Sequence, residues 1–103
     1  MLKKVKQILG LTQSEPTLGS IELWAGYRVP KCFARCEGQK MSIKDNAALF
    51  SIIGTIYGGD GVQYFTLPDY RPRDAKGNII SWEKADTPMV LICIYGVYPS
   101  WDY

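Results

Sequence analysis

The stretch SIKDNAALFSIIGTIYGGDG, residues 42–61, decides the fold class. Its first half reads as a helix. Ser42 is a good N-cap, and Asp45 stands three residues later, a capping box with an acid shorter than Glu. Ala47, Ala48, Leu49, Phe50, Ile52 and Ile53 fill the helix, and Gly54 stops it. The second half is a turn cluster, Tyr57-Gly58-Gly59-Asp60-Gly61, in which glycines supply positive φ and Asp60 caps the turn with its carboxylate. A phosphate loop is excluded there, because Val62 and Gln63 follow where Lys and Ser or Thr would open a helix.

Short strands surround this helix. Residues 64–67, Tyr-Phe-Thr-Leu, form one that Pro68 ends, and residues 69–78 are an irregular loop rich in charge, Pro and Gly. Residues 89–98 are a near-continuous apolar strand, buried on both faces. Upstream, residues 33–36 predict a strand closed by the turn Glu37-Gly38-Gln39. Residues 26–30 turn the chain, and Ile21, Leu23 and Ala25 alternate with polar neighbours and Trp24 as the apolar face of a further strand. The expected class is α+β, one small domain over 19–103.

Residues 1–18 read differently. Leu2, Val5, Ile8 and Leu9 fall on one helical face, Lys3, Lys4 and Lys6 on the others, and Gly10 stops the helix. So short a helix is marginal alone in water, so it is expected to lie on a surface, as an amphipathic docking arm followed by a linker. A frayed terminus is the plainer alternative.

The chain has 103 residues, enough for one domain, with 47% hydrophobic and 21% charged residues, which argues against wholesale disorder. Its net charge of +2 is already present in residues 1–18; the remainder carries nine basic and nine acidic groups. A nucleic-acid partner is therefore not expected. No apolar run is long enough to span a bilayer, so no membrane role is expected. The N-terminus lacks the apolar region of a signal peptide.

Catalytic chemistry is poorly supplied. Without His there is no Ser-His or Cys-His pair and no imidazole for a metal. Cys32 and Cys36 have a C-x3-C spacing and Cys93 is a third thiol, one ligand short of a structural zinc site. An odd count without an export signal points to reduced thiols made in a cytoplasm. No metal, cofactor or catalytic residue is expected. Residues 67–74 alternate acids and bases. They read either as an acid–base pair of carboxylates or, more simply, as a loop in which Asp69 or Asp60 grips Arg71 in a bidentate contact.

The order of segments resembles the phage tail collar domain family, which includes bacterial proteins described as microcystin-dependent. The matching residues are 19–26, Cys36-Glu-Gly-Gln39, 42–61, then Phe65-Thr-Leu-Pro-Asp69 with Arg71, and finally 94–100. The resemblance implies a virion structural module of tail fibres and related appendages, commonly trimeric, with residues 42–69 as scaffold. The chain departs from the pattern twice. Residues 74–88 replace a long, often His-rich insert, and Pro72 stands in place of the usual Gly.

The expected function is thus a non-enzymatic, oligomeric fitting of a tail or capsid (head) fibre. It is made in the host cytoplasm, carried in the virion, and docked onto other virion proteins through Leu2, Val5, Ile8 and Leu9. Any distal fibre is expected to belong to another polypeptide. The alternative is a host-surface receptor or glycan-binding module presenting Tyr27, Tyr70, Trp82, Trp101 and Tyr103, since such rings stack on flat ligands.

Overall fold

The most apolar segment, Met-Val-Leu-Ile-Cys, lies at the middle of a three-stranded sheet. In the computed structural model, which describes residues 15–101, the elements are β1 (Ile21–Trp24), β2 (Phe33–Arg35), β3 (Lys40–Ser42), α1 (Ala47–Ile53), β4 (Tyr64–Thr66) and β5 (Met89–Cys93). The last strand, β5, runs between β1 and β2 and is antiparallel to both. β3 and β4 form a separate antiparallel pair with Met41 opposite Phe65.

Both faces of β5 are covered, and alternation along the strand sorts its side chains between two cores. On one face Ile92 joins Leu18, Cys36, Leu49, Ile53, Phe65 and Leu67, so the helix and the β3–β4 pair close that side. Phe50 of the helix meets Phe65 of β4 with ring centroids 5.4 Å apart in a tilted arrangement. On the other face Met89 and Leu91 pack with Trp82, flanked by Trp24, Val29 and Phe33. The short 74–88 connection thus supplies the plug for the second face of the sheet.

Three expectations about these elements need correction. The helix begins at Ala47 with Asn46 in the cap position, and Asn46 makes no side-chain capping bond. Ser42 instead ends β3. It organises the turn before the helix, its Oγ accepting from Asp45 N–H at 3.4 Å and its carbonyl from Asn46 Nδ2 at 2.9 Å. The strand over 89–98 stops at Cys93, because the chain then turns to pair elsewhere: Ile94 N–H donates to Cys32 and Val97 N–H to Pro16. In β1 the expected inward face is largely outside. Leu23 is 71% exposed and Ile21 45%, whereas Trp24 is half-buried against Met89, its register partner. β1 is an edge strand, and Trp82 closes only the Trp24 side of it.

The folded body also begins earlier than residue 19. Leu18 is buried and its N–H donates to Val97, while Thr17 bridges Val97 in parallel. Leu2, Val5, Ile8 and Leu9 of the arm, and Tyr103, lie outside the described residues. Among the described residues no helix is long and apolar enough to cross a membrane.

Candidate functional site

The glycine cluster after the helix makes a tight return into β4. Gly59 has φ +111°, and a Cβ there would run into the backbone of Tyr64 and Phe65. Asp60 fixes the bend: its Oδ1 accepts from the N–H groups of Tyr64, Val62 and Gln63 at 2.9–3.0 Å. Those bonds favour the ionised form and hold the carboxyl below its ordinary value. Thr66 Oγ1 donates to the Tyr57 carbonyl at 2.5 Å and closes the loop from the other side.

The segment Leu67-Pro68-Asp69 is stitched to the 36–39 turn. Leu67 N–H donates to Gln39, Gly38 N–H to Pro68, and Tyr70 N–H to Cys36, all at 2.9–3.1 Å. With Leu67 and Pro68 buried, Asp69 is left at the surface, where it receives Arg71 in a fork. Nε meets Oδ1 at 2.9 Å and Nη2 meets Oδ2 at 2.7 Å, while Arg73 Nη2 stands 3.6 Å from the same Oδ2. The Arg71 guanidinium holds the Asp69 carboxyl at about 2. Asp60 is turned to its own loop, so Asp69 is the acid that grips Arg71. Each carboxylate is committed to a partner within the fold, which leaves neither free to shuttle a proton.

Two of the three thiols are buried. Burial pushes Cys36 up to about 11, with Asp69 and Glu37 adding to the effect. Burial also raises Cys93, whose S–H donates to the Tyr95 carbonyl at 3.1 Å. Neither is a thiolate nucleophile at neutral pH. Among the described residues no group of three or more His, Cys, Asp or Glu is placed to hold a metal.

The aromatic side chains divide sharply. Trp101 is 60% exposed, and Tyr27 and Tyr70 are also exposed. Trp82 does not belong with them. It is 6% exposed, and its indole N–H donates to Glu37 Oε2 at 2.9 Å, which satisfies its single donor inside the second core. Its position in a loop gave no periodic signal of burial, and Glu37, in a predicted turn, gave none of its role as acceptor. Trp82 still borders two open clefts of about 370 and 360 Å³, one beside Trp24 and Tyr27, the other beside Arg35 and Arg71.

What these elements define is a scaffold: a helix and two small sheets held by fixed turns and one carboxylate–guanidinium clasp. The phage tail collar domain matches residues 19–75, more than half of the chain, and the chain belongs to that family. It is therefore a structural component of the phage tail-fibre type and part of the virion. No curated protein matches the chain.

Proposed function

We propose that this chain is a non-enzymatic fitting of a phage tail or head fibre, that it works as a homotrimer, and that residues 1–18 dock it onto a larger virion protein. The observation that carries the oligomeric part is the exposed apolar surface. Ile21 and Leu23 lie on an edge strand, Ile56 and Val62 flank the glycine turn, and Tyr95 and Trp101 follow β5, all between 45% and 79% exposed. We take these side chains, together with the open edge of β1, as surface that neighbouring copies cover. The arm reading rests on the amphipathic spacing of Leu2, Val5, Ile8 and Leu9.

The solution mass of the full-length protein, from light scattering behind size exclusion, tests the first part. A trimer is expected, and a monomer at every concentration overturns it. Deleting residues 2–10 tests the second: incorporation into particles should be lost while the circular dichroism spectrum is kept. Unchanged incorporation removes the docking role.

A further inference from the structure

Trp24 and Met89 are the last paired residues of β1 and β5, and beyond them the chain runs on as two loops. Between those loops lies the cleft of about 370 Å³, within the size range of small-ligand sites. Trp24, Tyr27 and Trp82 line it. Both indole N–H groups are already committed, Trp24 to the Arg28 carbonyl at 2.7 Å and Trp82 to Glu37 at 2.9 Å. Neither indole N–H is therefore left to donate to a ligand in the cleft. Gly26 lies against Trp24, where a Cβ would meet the indole nitrogen at 2.7 Å, so this turn is built around the ring.

Among the described residues the charged side chains lining the cleft are Glu83 and Asp86, with no Lys or Arg. Both acids are exposed and sit on one turn, with Asp86 N–H donating to the Glu83 carbonyl at 3.2 Å. Asp86 holds φ +53°, in the left-handed region. Among the described residues neither carboxylate has an ion-pair partner. The lining sets two carboxylates beside aromatic rings, so it carries net negative charge. A compact cation with apolar substituents uses both, the rings through cation–π attraction and the carboxylates through charge.

We infer that this cleft is a binding site for an alkylated ammonium ion, of the kind carried by quaternary ammonium headgroups. This goes beyond the fitting role and does not depend on it.

The test is titration of the full-length protein with tetramethylammonium chloride and with choline chloride, read by tryptophan fluorescence against sodium chloride at equal ionic strength. Saturable binding above the sodium control is expected for both. Tyr27→Ala removes a ring that is 83% exposed, and Asp86→Asn removes a charge while keeping a residue that tolerates the left-handed backbone. Each should weaken binding by about two- to fivefold, with an unchanged melting curve, the scale of one exposed cation contact. Adding Glu83→Gln to Asp86→Asn should weaken it further. No saturation above sodium, equal affinity in the variants, or tighter binding of neutral glucose than of tetramethylammonium would each overturn the assignment.

Discussion

Replacing Trp82 by Ala separates two views of this residue, one as a surface-binding aromatic and one as the plug of a core. Trp82 is 6% exposed and covers Met89 and Leu91, which are 6% and 0% exposed. Removing a large buried ring loses its transfer free energy and leaves a cavity, at a cost of about 3–5 kcal/mol. Glu37 Oε2 also loses the indole donor 2.9 Å away, but being half-buried it regains water, so little is added. A domain of this size is stable by about 5–15 kcal/mol, so the loss takes a substantial share of the reserve, from about a fifth to nearly all of it. Each kcal/mol is worth roughly 4–8 °C in a domain of up to about 100 residues, so a fall of about 12 °C or more is expected. Trp82→Phe keeps most of the volume and should cost about 1–2 kcal/mol. Urea unfolding followed by far-ultraviolet circular dichroism measures all three proteins, with Trp101→Ala, whose ring is 60% exposed, as a control expected within about 0.5 kcal/mol of the parent. If Trp82→Ala unfolds at the parental urea midpoint, Trp82 does not fill the second face of the sheet, and the two-core description of β5 is wrong.

The glycine turn gives a second contrast. Gly59→Ala places a Cβ into the Phe65 backbone at φ +111° and should cost at least about 2 kcal/mol; Gly77→Ala, at φ +88° with open space around it, should cost about 1 kcal/mol in the same urea series. The Asp69–Arg71 clasp makes stability depend on acid. The Asp69 carboxyl is held at about 2 in the fold, below its ordinary value, so its contribution is complete above about pH 5 and fades as the pH falls towards 2. Asp69→Asn should flatten that limb of a melting-temperature profile, and an unchanged limb would assign it to other carboxylates. Ellman's reagent at pH 8 should label Cys32 in the native protein and reach buried Cys36 and Cys93 only after unfolding. Rapid native labelling of all three thiols would contradict the packing around β5.

Much of this architecture is legible because its signals are local. Gly54 ends the helix where expected, its N–H returning to the Phe50 carbonyl at 2.7 Å, and Pro68 follows β4 closely. The Asp60 turn and the spacing of Asp69 and Arg71 are short-range geometry that residue types largely dictate. β3 is not legible in the sequence, because Lys-Met-Ser shows no apolar alternation and becomes a strand only by pairing with β4. Leu23 and Trp24 exchange the sides expected of them because alternation marks two faces without saying which is covered. That depends on Trp82, 58 residues further along the chain, and a loop tryptophan carries no periodic mark of burial. The same blindness hid the cleft between Trp24 and Trp82, since sequence-distant loops form it.

The position of β5 also orders events in time. Among the described residues it is the last strand in sequence and the middle strand of its sheet, so β1 and β2 have no common neighbour until residues 89–93 leave the ribosome. Every pairing in that sheet closes a loop of more than fifty residues, the kind of long-range contact that slows folding. Residues 19–75, the part that matches the family, hold two sheet edges with nothing between them. During synthesis those edges stay open to other extended chains, including neighbouring copies being made alongside.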